Sequence, residues 1–422
     1  MVLPLSAEEA VVGQKLAELT RESRARLLAL LAAAGRDIAA AEDALADAVE
    51  RALLRWPVEG VPANPEAWLV VVARNCLRDY WKSAAHRTSV PLEVADREAL
   101  EWVGASDIPD RRLALMMACA HPAIAASVRT PLMLQVVLGV DAAAIAAAFA
   151  VAPEAMAQRL VRAKRRIRAA NLPFVEPERG QLAERLPALL EAVYGAYSID
   201  WQSIPPLIPQ SSVDSLSGEA LHLALLLAEL LPAEPEVLGL AALVCLSHAR
   251  QPARCGADGR FVPLDEQDVS RWDRALISRG EGLLARAHGY RRPGRFQYEA
   301  AIQSVHCSRA RRGPLDITRT QTLRTLHRAL LREAPSLGAA VALAALDGDL
   351  DGPESGLQSL DALRSTTADF QPAVVLSAHL LAAARRWAEA EATYRRAIEL
   401  TSSPWVAEYL ERCLRSGPVN GP

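Results

Sequence analysis

The run Val151-Ala152-Pro153-Glu154-Ala155-Met156-Ala157-Gln158-Arg159-Leu160-Val161-Arg162-Ala163-Lys164-Arg165-Arg166-Ile167-Arg168 places six basic side chains within ten residues. Met156, Leu160, Ala163 and Ile167 recur at intervals of four, three and four, which is the buried stripe of an amphipathic helix. Gln158, Arg159, Arg162 and Arg166 fall away from that stripe. Glu154 stands in the first turn, where a negative charge suits the positive helix end. Upstream, Asp141 is a fitting N-cap for a short apolar helix over Ala142–Phe149. Val151-Ala152-Pro153 then makes the turn. A short apolar helix, a tight connection and a basic second helix are the sequence form of a DNA-reading helix-turn-helix. Arginine grips guanine edges or phosphate through a planar fork, and glutamine reads adenine. Gln158, Arg159 and Arg162 are therefore expected at base edges, with Arg166 on the same face. Lys164, Arg165 and Arg168 are expected at phosphates, which orient a protein without specifying sequence. The competing reading is an exposed basic helix without a ligand.

Around this segment the chain is slightly acidic, with a formal net charge of −3 over 422 residues. That balance excludes a histone-like coat and confines positive charge to local faces. Half of the residues are apolar, Ala and Leu dominate, and aromatics are few, so an all-α protein of two to four domains is expected. No apolar stretch is long enough to span a bilayer, and no basic region followed by an apolar core marks a secretory signal. The six cysteines are scattered without a Cys-x-x-Cys pair, so they read as reduced thiols of a cytosolic protein. Cys119-Ala120-His121 lacks a second half with metal-site spacing, so packing is the preferred role and no metal or cofactor is expected.

Towards the N-terminus, apolar residues Ile38, Leu45, Val49, Ala52 and Leu53 mark a helix from about Arg36 to Trp56, ended by Pro57. Glu42, Asp43, Asp47 and Glu50 give it an acidic face, either a solvated one or a dock for a basic partner helix. Asn64-Pro65-Glu66 restarts the chain as N-cap, first helical residue and first-turn acid. The following helix turns Trp68, Leu69, Val72, Ala73, Cys76, Leu77 and Tyr80 inward. Arg74, Asn75, Arg78, Lys82 and Arg87 lie on or near its other side, interleaved with Tyr80 and Trp81. Basic groups beside aromatics suit stacked single-stranded bases, although aromatics at helical spacing also serve as core. Residues from about Ala84 to Asp110, with Pro91, Gly104 and Pro109, read as a linker. Helices are expected again from Asp110 to Cys119 and from Ser127 to Leu138, the latter closed by Gly139.

Taken together, three motifs carry a family resemblance. They are Ala41-Glu42-Asp43-Ala44-Leu45-Ala46-Asp47-Ala48, then Asn64-Pro65-Glu66-Ala67-Trp68-Leu69 with Ala73-Arg74-Asn75, then Met156-Ala157-Gln158-Arg159-Leu160-Val161-Arg162-Ala163-Lys164. The chain resembles extracytoplasmic-function RNA polymerase sigma factors of the sigma-70 type, in the subgroup with a C-terminal tetratricopeptide-like extension. Pro232-Ala233-Glu234-Pro235-Glu236-Val237-Leu238-Gly239-Leu240, Asp265-Glu266-Gln267-Asp268 and Ser270-Arg271-Trp272-Asp273 extend the likeness. The resemblance implies a sigma-2-like domain (1–88), a linker (89–110) and a sigma-4-like helix-turn-helix domain (111–176). It also implies a non-enzymatic, cytoplasmic protein whose partners are core RNA polymerase and promoter DNA. Glu42, Asp43, Asp47 and Glu50 would grip polymerase. Arg74, Asn75, Arg78, Tyr80, Trp81 and Lys82 would meet the −10 element. Gln158, Arg159, Arg162, Lys164, Arg165 and Arg166 would meet the −35 element. There are departures. Tyr194-Gly195-Ala196-Tyr197-Ser198-Ile199-Asp200 stands where the subgroup carries Phe-Asn-Glu-Gly-Tyr, one cysteine of a pair before His121-Pro122 is missing, and Val140-Asp141-Ala142 replaces a Thr-Thr opening. Alternatives are a helix-turn-helix regulator independent of polymerase and a helical scaffold.

Beyond a hinge at Pro177 to Gly180 and a rigid connector at Ile204-Pro205-Pro206-Leu207-Ile208-Pro209, a helical extension (181–313) is expected. Its helices are placed at about Leu216–Leu231, Pro235–Arg250, Asp265–Ala287 and Tyr298–Cys307. Cys255 to Gly259 reads as a turn. Arg291 to Arg295 and Arg309 to Gly313 read as basic loops. In residues 314–417, Leu326, Leu360 and Tyr394 recur at 34 residues, as do Ala329, Leu363 and Ala397. Trp387, Ala390, Tyr394 and Ala397, with Pro404 beyond, form the clearest copy. That is the tetratricopeptide period, and such stacks hold peptides or helices, so a regulatory protein or peptide is the expected partner. No catalytic constellation is visible.

Overall fold

The computed structural model describes residues 7–88, 111–149, 151–174, 179–202, 216–256, 258–363, 367, 369–401 and 403–416. Among them every regular element is helical, joined by short 3₁₀ turns and one isolated bridge between Cys255 and Phe261. The all-α class is what an Ala- and Leu-rich sequence with few β-branched runs favours. The chain divides into two compact units, residues 1–199 with 211–219, and 200–210 with 220–422. No single helix among the described residues is long and apolar enough to cross a membrane. The expected linker at 89–110, Pro177 of the expected hinge and the 204–209 connector lie outside the described residues.

The first unit opens with α1 (Ala7–Gly35), followed by α2 (Ile38–Glu59) and α3 (Pro65–Thr88). Sequence periodicity begins only near Arg36, so α1 is an addition. Leu27, Leu28, Leu31 and Ala32 are all fully buried, because the stretch is apolar on every side and packs against both α2 and α3. Asp37 caps α2 by accepting from the Ala40 N–H at 3.2 Å. Pro57 does not end α2, which runs two residues further and closes on Gly60. A proline in the last turn forfeits little, since the helix ahead of it keeps its bonds. Asn64 caps α3 as expected, accepting from Ala67 N–H at 3.0 Å. Ser23 and Arg26 of α1 both bond Glu66 at the start of α3. Trp56 and Trp68 meet edge to face at 5.4 Å and close the α2–α3 hairpin.

Among the described residues of that unit five more helices follow: α4 (Arg112–Cys119), α5 (Ala126–Val136), α6 (Ala142–Ala148), α7 (Pro153–Ala169) and α8 (Arg179–Gln202). Gly139 adopts φ +66° just past α5, and Val140 N–H reaches back to the Leu134 carbonyl at 2.9 Å. That left-handed residue turns the chain back over the end of the helix, a backbone conformation that favours glycine. Gly180 lies inside α8, and the unit extends to Ile199, beyond the expected hinge. Contacts with α4 and α5 hold α8 there, among them a hydrogen bond from the Thr130 hydroxyl to the Ala188 carbonyl at 3.5 Å. The Arg185 guanidinium donates to the Met117 carbonyl at 3.2 Å, and Leu134 packs against Gly195.

The second unit is centred on α10 (Pro235–His248), in which every residue but Glu236 is buried. It follows α9 (Leu216–Leu230) and packs against α11 (Arg274–Gly289) and α12 (Arg295–Cys307). A Cβ on Gly280 would fall 2.8 Å from Leu246 and 3.1 Å from the Ala242 carbonyl, so only glycine lets α11 approach α10 this closely. Helix does not begin at Asp265 as expected. Two 3₁₀ turns occupy 264–271, and Asp273 starts α11 by accepting from Ala275 and Leu276 N–H at 2.8 and 3.0 Å. The expected basic loop at Arg309 is the one-turn helix α13 (Arg309–Arg312), and Arg309 stacks over Trp272 at 5.6 Å. Three helical hairpins follow: α14 (Ile317–Glu333) with α15 (Leu337–Asp351), α16 (Pro353–Asp361) with α17 (Gln371–Ala383), and α18 (Trp387–Leu400) with α19 (Pro404–Ser416). Their second helices begin 34 and then 33 residues apart. Leu360 and Tyr394, one period apart, are both buried between neighbouring hairpins. The last helix returns to the 255–262 loop, where Tyr409 meets Phe261 edge to face at 6.0 Å and Arg260 pairs with Glu408 at 3.0 Å.

Candidate nucleic-acid interface

Helices α6 and α7 cross at 111°, within the range of a helix-turn-helix. Asp141 accepts from Ala144 N–H at 3.4 Å, and Val151 N–H reaches the Ala146 carbonyl at 2.9 Å to fix the turn. Met156, Leu160, Ala163 and Ile167 are the buried residues of α7, the stripe read from their spacing. Gln158, Arg159, Arg162, Arg165 and Arg166 are all exposed. The Arg162 Nε–H donates to the Gln158 carbonyl at 3.3 Å, which steadies the guanidinium along the helix. Arg159, Arg162 and Arg166 edge a groove of about 340 Å³ whose other wall is apolar, from Ala123, Ile124, Ala125 and Val128. Chemically this is a row of planar cationic forks beside a surface fit for a methyl group, a combination able to meet both phosphate and base edge.

Two cations assigned to phosphate are engaged elsewhere. Lys164 Nζ lies 2.6 Å from Glu42 Oε2, and its side chain is only 12% exposed. Arg168 Nη1 lies 3.3 Å from Asp37 Oδ2. The cause is helical phase. At 100° per residue Lys164 stands about 40° from Leu160, on the border of the buried stripe rather than opposite it. Beneath it Cys119 is fully buried, and that burial pushes its thiol up to about 12, partly offset by Lys164. Cys119 is a packing group. The His121 Nδ1 accepts from Ala123 N–H at 3.1 Å.

On α2 the expected acidic face divides. Asp43, Asp47 and Glu50 are exposed, whereas Glu42 is shared between Lys164 and Arg24, the latter at 3.5 Å. Leu54 and Val58 fall on the same stripe as Asp47 and stand out in solvent, Val58 at 87% exposure. Leu53, read from periodicity as core, is also exposed. The buried side is built instead from Ile38, Ala41, Ala44, Leu45, Ala48, Ala52 and Trp56. The free surface of α2 is thus apolar as well as acidic, which spacing of charges alone does not reveal.

On α3 the two sides differ from expectation at three residues. Arg74 is 6% exposed, and burial is the main cause that lowers its pKa, with Arg111 and Arg78 adding repulsion. Trp81 packs against Gly35 at the end of α1. Tyr80, expected inward, is exposed beside Asn75, Arg78 and Lys82. Arg78 donates to the Asn75 side chain at 3.3 Å. The signal was present in the sequence: Val70, Ala73, Arg74 and Leu77 keep three-and-four spacing, and Trp81 continues it. The side chain of Arg87 lies outside the described residues.

Comparison with known proteins spans both units. Residues 185–288 match the model of a "Family of unknown function (DUF6596)". Uncharacterized protein R00370 of Rhizobium meliloti (strain 1021) is 34% identical over 382 residues, 89% of each chain. This chain belongs to that protein's family. No solved structure matches it. The matched model runs from within α8 through α9 and α10 into α11, so it covers the fully buried α10 and the capped start of α11.

Proposed function

We propose that the chain is a dissociable sigma subunit that binds core RNA polymerase in the cytoplasm and directs it to promoters. The observation that carries the reading is the α6–α7 helix-turn-helix with Gln158, Arg159, Arg162, Arg165 and Arg166 exposed together. The motif resemblance in α2, α3 and α7 supports it. In this reading Gln158, Arg159 and Arg162 read the −35 element, and Arg165 and Arg166 hold its phosphates. Asn75, Arg78, Tyr80 and Lys82 meet the −10 element. Asp43, Asp47 and Glu50, with Leu54 and Val58 among them, form the polymerase dock, since apolar area supplies affinity and charge supplies register. Arg74, Trp81, Glu42 and Lys164 act from beneath as support. The hairpins of the second unit, with second helices near a 34-residue spacing, serve as tetratricopeptide-like repeats that receive a regulatory protein or peptide. Sigma subunits catalyse no bond-forming step, so the chain is not an enzyme.

Transcription in vitro tests this directly. Core polymerase from the source organism, given the chain and a genomic promoter library, is expected to initiate at specific sites. Absence of specific initiation with folded protein, both full-length and cut after α8, overturns the proposal. A polymerase-independent regulator is the second reading, because the helix-turn-helix is complete without α2. It predicts operator binding that is indifferent to charge reversal at Asp43 and Asp47.

A further inference from the structure

Within the first unit, α7 packs on α2, and the seam between them is ionic. Glu42 holds Lys164 at 2.6 Å and Arg24 at 3.5 Å. Arg24 in turn donates to the Val136 carbonyl at the end of α5, at 3.3 Å. One turn along the seam, Asp37 holds Arg168 while also capping α2. Two acids of α2 and its N-cap thus fasten the helix-turn-helix unit to the N-terminal helices. We infer that this contact is an ionic latch, closed in the free protein and released when α7 engages a polyanion. The inference rests on the nucleic-acid reading of α7 for what opens the latch, but not for its existence.

Three features favour a reversible device over a fixed joint. The first is residue choice. The chain contains only three lysines, at 15, 82 and 164, against 44 arginines, yet the central cation of the seam is a lysine. An ammonium holds its partner as a point charge, without the two-pronged grip of a guanidinium. The second is exposure. Arg168 is 56% and Glu42 21% exposed, so mobile ions reach one partner of each pair and screen it in part, while Lys164 and Asp37, at 12% and 7%, are covered. The third is placement. A duplex seated on Arg159, Arg162, Arg165 and Arg166 lies across one helix diameter from Glu42 and Asp37, roughly 10 Å. That is about one Debye length at 0.1 M salt, so phosphates there repel both acids while they attract α7. Duplex binding and latch closure then oppose each other.

A zero-length carbodiimide reagent joins a lysine to a carboxylate only in direct contact. On the full chain it is expected to link Lys164 to Glu42, and with three lysines the product is readily assigned by mass spectrometry. The yield should fall several-fold between about 0.05 M and 0.5 M salt, where the Debye length drops from about 14 to 4 Å. It should also fall on addition of a short random-sequence duplex. Glu42→Gln should abolish the link and raise duplex affinity several-fold, and Glu42→Lys combined with Lys164→Glu should return affinity towards the wild-type value. A link whose yield ignores both salt and duplex, with Glu42→Gln binding duplex no better than wild type, overturns the latch. A salt-dependent link in a chain that never binds duplex supports the latch and overturns the nucleic-acid reading instead.

Discussion

If α7 meets DNA, the number of phosphates it neutralises is readable from the salt dependence of binding. Each phosphate contact on B-DNA contributes about −0.9 to the slope of log K against log salt. Four exposed arginines on α7 have no carboxylate partner from α2, namely Arg159, Arg162, Arg165 and Arg166, whereas the exposed Arg168 pairs with Asp37. Were all four to touch phosphate, a rise from about 50 to 200 mM salt would weaken binding about 150-fold, since each contact accounts for about 3.5-fold. Replacing one of them leaves about 40-fold. Arg165→Ala and Arg166→Ala are therefore each expected to flatten the slope by about 0.9 for random-sequence duplex. Any latch contribution is common to wild type and variant, so it cancels in the difference. Arg55→Ala, an exposed cation on α2, should leave the slope unchanged. Fluorescence anisotropy with a labelled duplex and the full chain supplies the titrations. Slopes that agree among wild type, Arg165→Ala and Arg166→Ala would refute phosphate contact by this helix, whatever their absolute affinities.

Two further expectations concern stability. Leu160→Ala removes a 1% exposed side chain from beneath α7 and should cost about 2–5 kcal/mol, or roughly 4–20 °C in the melting of a unit this size, whereas Val161→Ala on the outer face should shift the melt little. In the second unit burial holds His306 down to about 3, assisted by Arg250, His327 and Arg309. Below about pH 6.5 the unfolded chain takes up a proton that the folded one refuses, so stability falls as pH drops towards 3, by up to about 1.4 kcal/mol per pH unit. His306→Gln should flatten the pH dependence of chemical denaturation between pH 6 and pH 4, and an unchanged profile would show that another group sets it.

How far the sequence could be read depends on which periodicity was visible. Met156, Leu160, Ala163 and Ile167 alternate with charge, so the buried side of α7 was legible to the residue. Asn64 and Asp141 are caps whose chemistry is local, and both act where expected. Helix α1 was not legible. Its Leu27-to-Gly35 stretch is apolar all round, and a helix covered on nearly every side has no stripe to detect. Leu53 misled in the other direction. It is an apolar residue facing solvent, and the small residues Ala41, Ala44, Ala48 and Ala52 do the packing. Alanine carries too little hydrophobic contrast to announce a core position, yet it lets helices approach closely. The start of α11 was misplaced because Asp265 and Asp273 are both plausible caps, and only the tertiary fold selects the second.

The harder residues to read were the charged ones. Glu42 belongs to an acidic run and Lys164 to a basic run, and each run as a whole looks like a surface for a foreign partner. The structure joins them to each other at 2.6 Å. A sequence reading sums charge along one helix and sees binding capacity. It has no access to the other helix that uses part of that capacity first. The division within each run follows from phase alone: Asp43, Asp47 and Glu50 stand together on one stripe of α2, and Arg159, Arg162 and Arg166 on one stripe of α7. Glu42 and Lys164 each lie off those stripes, towards the buried sides. A charge that departs from the phase of its neighbours is a candidate for an internal partner, and one that keeps phase is a candidate for an external one. The same rule selects Arg74 and Trp81 on α3 as support, and leaves Asn75, Arg78 and Lys82 for solvent.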